Sequence, residues 1–415
     1  MKRKLLKQMR NEWRENLWLV MALTIVCLSV WSLFLILWGE IEGVMEPLGF
    51  EAKDVYTLKL EMVPEDSPEY NDYGEEKDAM EREDRVSLMR QIRGNVNVEA
   101  AAWSSNFIPY DFSYWGASLN LADGEVDSIG YSANIRRASP DIAKVLRLRS
   151  HSGKSPEQLA EMLSSGDVLV ANSYGDEKSL SPESLLGRVV ILSYDSLNPY
   201  RVGDVIDNVR RSDYEMTWGG MAVIPVDDEN PGQMWDIILR LKPGKGAAFA
   251  EELDNTPAMQ QHRNFYFSNL KRLEDLRDAR LREPDANVKT SVGLMIVFLA
   301  VILLGLLGTF WFRVQQRVGE IAIRKVCGAS KGAVFTRIIS EGILLLVCAG
   351  LISIAVVFFT VRYGSIGYME FQTPAPIILS GIVTILLVGS GVVLSIGYPA
   401  WRAMRIEPAI AVKSE

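Results

Sequence analysis

The sequence predicts a membrane protein: four transmembrane α-helices, with a large extracytoplasmic domain of mixed α/β (α+β) character between the first and the second. Three observations carry this. Four apolar runs, 17–38, 291–312, 338–361 and 376–398, have no charge at their centres, and each reaches the roughly 20 residues needed to cross a bilayer. Lys and Arg gather beside these runs in a pattern that fixes their orientation. The long segment 39–290 is hydrophilic and alternates between strand and helix periodicity.

Charge separates the regions sharply. The chain has 415 residues and a net charge of −8. Residues 1–38 carry six basic side chains against two acidic, and residues 291–415 carry ten against five. Subtraction from the totals of 44 and 52 leaves 28 basic and 45 acidic residues in 39–290. An acidic domain set between basic, apolar ends argues against nucleic acid as a partner. The N-terminal segment, the 313–337 connection and the 399–415 tail are basic, whereas the short 362–375 loop has only Arg362 and Glu370. The positive-inside rule therefore places both termini and 313–337 in the cytoplasm, and 39–290 outside.

In chain order, Leu5, Met9, Trp13 and Leu17 recur every four residues with Lys4, Lys7, Arg10 and Arg14 on other faces. Residues 1–16 thus suit an amphipathic helix lying on membrane lipid; a solvated extension of the first crossing fits them too. The run 17–38 is longer than a signal-peptide core and lacks a small-x-small site before Gly39-Glu40, so it is expected to remain as an uncleaved anchor. Trp13, Trp18, Trp38, Trp311 and Trp401 fall near the expected membrane boundaries, where aromatic belts form.

Within 39–290, alternation predicts a strand over 55–61, a helix over 80–93 and a strand over 98–103, a β-α-β pattern of an open sheet. A loop-rich stretch follows, with Phe107, Tyr110, Phe112, Tyr114 and Trp115. Further strands are expected at 126–135, 168–171, 189–194, 202–209, 221–225, 235–241 and 265–267, with helices at 140–146, 156–163 and 246–254. A charged helix over 271–282 leads towards the second crossing. It could carry motion between membrane and domain, or be an ordinary solvated helix. None of the three cysteines lies in 39–290, and a domain of this length can bury its own core without disulfides.

Several chemistries are excluded. Gly153-Lys154-Ser155 resembles the end of a phosphate-binding loop, but Leu148 stands where that loop needs glycine. No HExxH, GxSxG or CxxC occurs, and His151 and His262 stand far apart in surface-like contexts. Neither a catalytic group nor a metal or cofactor site can be singled out. Polar groups at mid-depth in the four runs are few, which argues against an ion-coupled transporter. Small residues, Gly305 with Thr309, Ala349 with Ser353, and Gly389, Gly391 and Ser395, are spaced for close helix contact.

The most structured connection is 313–337. Gly319 interrupts the helix leaving the second run, Glu320 precedes Arg324 by four residues in the favourable order, and Gly328 ends the short helix between them. Ser330 is placed to cap the next helix. The connection spells helix, short transverse helix, turn, helix.

This arrangement resembles the MacB/FtsX-type ABC transporter permeases. The likeness is carried by Gly319-Glu320-Ile321-Ala322-Ile323-Arg324-Lys325-Val326-Cys327-Gly328-Ala329-Ser330 and by the tail Tyr398-Pro399-Ala400-Trp401-Arg402-Ala403-Met404-Arg405-Ile406-Glu407-Pro408-Ala409-Ile410-Ala411. The resemblance implies a chain of the bacterial inner (cytoplasmic) membrane, with 39–290 as a MacB-like periplasmic core domain. It implies two copies of a separate ABC ATPase that bind ATP and Mg, and a second permease chain, identical or homologous. It also assigns ATPase coupling to Gly319, Glu320, Ile321, Ile323, Arg324, Lys325, Gly328 and Ala329, with Ala322, Val326 and Ala329 packed inward. The chain itself would be a non-catalytic subunit working by mechanotransmission, and a periplasmic adaptor or hydrolase would be a further partner. Three functions compete: export or extrusion of a peptide, lipoprotein, antibiotic or other amphiphile; an FtsX-like regulator that activates a cell-wall hydrolase; and a membrane sensor or scaffold outside transport.

Overall fold

The computed structural model describes residues 13–403 except 46, 112, 123–129, 175–180, 215–218, 233, 317, 318, 320, 322, 324, 325 and 363–374. Most of the expected amphipathic segment, the interior of the 362–375 loop and the end of the tail lie outside the described residues. The chain divides into a helical unit, Met1–Glu42 with Ala286–Glu415, and an α/β unit, Gly43–Asp285.

The first helix, α1 (Trp13–Met45), contains an apolar span over Leu17–Trp38. The α/β unit opens with β1 (Val55–Met62), α2 (Lys77–Gly94) and β2 (Val98–Ser105). It continues through β3 (Gly116–Leu121), β4 (Tyr131–Ala138), α3 (Ile142–Leu146), α4 (Pro156–Ser164), β5 (Val168–Tyr174), one-turn α5 (Pro182–Leu185), β6 (Val189–Leu192), β7 (Asp195–Ile206) and β8 (Gly219–Pro225). It closes with β9 (Asp236–Leu241), α6 (Gly246–Asn255), α7 (Pro257–Gln260), β10 (Gln261–His262) and β11 (Phe265–Arg272).

The β-α-β unit expected near the start is present, but its strands do not touch. β9 lies between β1 and β2 and pairs antiparallel with both, Leu239 facing Tyr56 on one side and Ala101 on the other. The reason is that β9 is buried on both faces: Ile237, Leu239 and Leu241 enter one apolar cluster, and Ile238 enters another beside buried Arg240. Such a strand stabilises the sheet most from its centre. With β11 antiparallel on the far side of β1, the order β11-β1-β9-β2 and crossover helices α2 and α6 form the split β-α-β, ferredoxin-like arrangement.

Everything between β2 and β9 is an insertion that closes on itself. β4 pairs with β3, β3 with β6, β6 with β7, β7 with β5, β5 with β8, and β8 returns in parallel to β4. These six strands make a closed ring filled by Leu119, Tyr131, Ile135, Val170, Val202 and Ile224. β3 arises inside the stretch expected to be loop. The strand expected at 126–135 starts, among described residues, at Tyr131.

The helical unit is completed by α8 (Leu273–Gln316) from Ala286 onward, α9 (Lys331–Arg362) and α10 (Ala375–Ala403), and among the described residues four helices are long and apolar enough to cross a membrane. The charged lead-in and the second apolar run are one continuous helix, α8. Leu23 and Val30 of α1, Leu345 and Ala349 of α9, and Val392 and Ile396 of α10 belong to one buried cluster. Close approach depends on missing side chains: a Cβ on Gly391 would lie 2.3 Å from Leu303 Cδ2, and one on Gly342 would lie 2.0 Å from Ile396 Cδ1. Ala349, Ser353 and Ser395 are buried, in keeping with the small-residue spacing. Gly305 has no neighbour within 4 Å of its Cβ position, and the Thr309 hydroxyl donates to Gly305 O of its own helix at 2.8 Å. Among the described residues, no neighbouring helix packs closely against Gly305.

Candidate functional site

The connection between α8 and α9 is built as its residues dictate. Gly319, Ile321, Ile323 and Val326 are helical, and the last turn closes with Cys327 N donating to Ile323 O at 3.0 Å. Gly328 has φ +93°, the left-handed geometry that ends helices at glycine. Ser330 then caps α9, its Oγ accepting from Ala333 N at 3.2 Å.

The turn at Gly328 folds α9 back over the short helix. Ile321, 7% exposed, packs with Val334 while Ala329 and Ile338 close the cluster. Ile323 and Val326 are 62% and 66% exposed, and Cys327 is exposed beside them. Residues three apart share a helix face, so Ile323 and Val326 form one apolar outward patch held by an inward anchor. Ile321, which the resemblance assigned to ATPase coupling, is buried within the chain itself, and Val326, expected to pack inward, is exposed. The helix phase is set by Ile321 meeting Val334. Ile323 is exposed, and Ala329 packs inward against the cluster, as expected. Glu320, Ala322, Arg324 and Lys325 lie outside the described residues.

In the α/β unit, Gly153-Lys154-Ser155 belongs to a turn organised around buried Asp204. That carboxylate accepts from Ser150 Oγ at 2.5 Å and Ser152 Oγ at 2.9 Å, and Lys154 Nζ lies 3.4 Å from it. Ser155 caps α4 in a capping box with Gln158. The lysine is thus committed to an internal carboxylate. The histidines sit at the surface, His151 against Asp207 at 3.1 Å and His262 at 3.5 Å from buried Asp84. Asp84 also receives the Tyr73 hydroxyl and Arg263 Nη1 at 3.2 Å. Burial, followed by the bond to Asp84, pushes the Tyr73 phenol up to about 12. Sequence reasoning did not single out these hubs, since their partners lie far apart along the chain.

Four apolar helices, an α/β unit inserted after the first and a capped elbow before the third are the layout of a multi-span membrane protein. Residues 292–408 match the family described as FtsX-like permease C-terminal. The pyoverdine export ATP-binding/permease protein PvdT of Pseudomonas putida is 28% identical over 143 residues, covering 33% of this chain and 21% of that protein. The match therefore spans about a fifth of the relative's length. The extracellular domain of the ABC-type transporter YknZ from Gram-positive bacteria aligns with 51% of this chain and all of that one, at 11% identity and a TM-score of 0.30, too slight a likeness to define a shared fold. The chain thus carries an FtsX-like permease domain over residues 292–408.

Proposed function

We propose that this chain is the transmembrane subunit of an ABC transporter in which a separate cytoplasmic ATPase drives movement of the α/β unit on the opposite side of the membrane. The observation that carries this reading is the outward pair Ile323 and Val326, held on a short capped helix by buried Ile321. Exposed apolar residues on a braced element suit a protein interface. Two ATPase copies would supply ATP and Mg, and a second permease chain, identical or homologous, would complete the assembly. The cargo is a peptide, lipoprotein, antibiotic or other amphiphile, exported or extruded; the name of the Pseudomonas relative, an export protein, supports that direction. The location is the bacterial inner membrane, with both termini cytoplasmic.

The test is co-purification of the ATPase with the full chain carrying Ile323→Asp and Val326→Asp together. Loss of the ATPase with unchanged helix content supports the reading. Retention of the ATPase at wild-type stoichiometry overturns it.

A further inference from the structure

The two stretches of the α/β unit that continue into membrane-spanning helices, the one after α1 and the start of α8, are held by one short segment, residues 207–214 between β7 and β8. On the α1 side, Arg210 N donates to Leu48 O at 3.0 Å. Gly49 has φ +76°, and a Cβ there would lie 2.1 Å from Asn208 O, so the two backbones meet at a distance no other residue permits. Phe50 and Val209 share one buried cluster, and Phe50 meets Tyr110 edge to face at 6.1 Å.

On the α8 side the segment grips twice. Asp213 Oδ2 accepts from Arg277 Nε at 2.9 Å and again from its Nη2. The Tyr214 hydroxyl donates to Asp285. Arg277 and Asp285 are eight residues apart on one helix, about 12 Å along its axis, so the grip resists tilting as well as sliding. Leu273, at the start of α8, is buried in the same cluster as Phe50 and Val209.

Asp213 is the hub. Its Oδ1 accepts from the Tyr110 hydroxyl at 2.9 Å, and its backbone oxygen accepts from Arg210 Nη2 at 2.9 Å. Burial and the Asp213 charge push the Tyr110 phenol up and keep it a donor, and the Asp213 bond raises Arg277. The flanking strands β7 and β8 are both members of the closed ring. A displacement of α8 therefore has a short, charged and partly buried route into the ring.

We infer that residues 207–214 are a clasp that fastens both membrane-linked stems and passes movement of α8 to the six-stranded ring, with Asp213 as the positioning residue and its pair with Arg277 as the coupling contact. The inference rests on the proposed ATP-driven function and names the joint through which that drive enters the α/β unit. Two charged N–H groups converging on one oxygen of a mostly buried carboxylate make a stronger contact than an exposed ion pair. Its loss should open the joint locally while the strands stay folded.

The test uses the full chain in lipid nanodiscs, alone and with its co-purified ATPase, read by amide hydrogen exchange. In the chain alone, Arg277→Gln should speed exchange over residues 274–285 about tenfold and leave β1, β9 and the ring unchanged. Arg277→Lys, which keeps the charge, should give an intermediate value. In the complex, wild type should show a change in β7 and β8 between the nucleotide-free and ATP-vanadate states. Arg277→Gln should abolish that change while ATPase binding and hydrolysis persist. Should Arg277→Gln misfold, Asp285→Asn removes the second grip alone and must weaken the same response. A nucleotide response of wild-type size in a folded variant overturns the clasp and leaves the proposed function standing. No response in wild type overturns the ATP-driven reading and the clasp with it.

Discussion

The indole N–H of Trp31 on α1 donates to Ser380 Oγ on α10 at 3.0 Å, and a Cβ on the adjacent Gly381 would lie 2.6 Å from the Trp31 ring. The two helices approach this closely because position 381 has no side chain. Gly381→Val should destabilise the helical unit by about 1–3 kcal/mol through overpacking, whereas Trp31→Ala leaves a void where the ring stood. Trp31→Ala combined with Gly381→Val should therefore recover part of either loss, a coupling measurable by thermal unfolding in detergent. Strict additivity would show that the ring and residue 381 do not share this space.

Tyr73 gives a pH test. Its folded-state value of about 12 lies above the ordinary 10, so the folded state favours the protonated phenol. The associated stability is complete below pH 10 and disappears as pH rises through 12. Tyr73→Phe should cost about 1 kcal/mol at neutral pH, the usual net value of one partly exposed hydrogen bond to a charged acceptor. The gap from wild type should narrow between pH 10 and 12 in denaturant titrations.

Arg240 is the most deeply buried arginine among the described residues and donates to three main-chain carbonyls, those of Val145, Lys53 and Glu51, each at 2.8 Å. Burial lowers its proton affinity, and the carbonyls offset that cost. Arg240→Met strands all three acceptors and should cost about 3–5 kcal/mol. Arg147→Met, which removes an exposed partner of Glu51 and Glu99, should cost under about 1 kcal/mol. Comparable losses for the two variants in calorimetry would refute the assignment of Arg240 as the structural anchor.

Cys327 supplies a native label. It is exposed at the elbow, while Cys27 is buried and Cys348 is half-buried in α9. A membrane-impermeant maleimide should modify the chain in inside-out vesicles and leave it unmodified in intact spheroplasts. Modification in spheroplasts would place the elbow on the wrong side for an ATPase. Ile321→Ser should loosen the elbow and double its proteolytic cleavage or more, whereas Ile323→Ser should leave cleavage unchanged.

The spans were legible because apolar length is a local property of sequence. So were β9, α6 and the cap at Ser330, whose residue types have one good use each. The neighbours of a strand were not legible. β1 and β2 are separated in the sheet by β9, far along the chain, and the buried faces of β9 became decisive only once both partners existed. β3 was missed because Gly-Ala-Ser-Leu-Asn-Leu has small, polar and apolar residues in no strong alternation. The elbow was recognisable, but its phase was not. In a helix this short, Ile321 and Val326 are equally apolar, and only the return of α9 decides which is covered.

The closed ring limits how another chain can recognise the α/β unit. Hydrogen-bonding margins of a sheet invite any extended peptide, and six of the eleven strands have theirs satisfied by one another. At the other end, β11 is shielded along only part of its length by two-residue β10, and its uncovered stretch ends in Lys271 and Arg272, charges that discourage a foreign strand. At the ring, a partner would therefore read side chains rather than borrow the main-chain ladder, so mutations there that alter partner choice belong in its loops and outer faces.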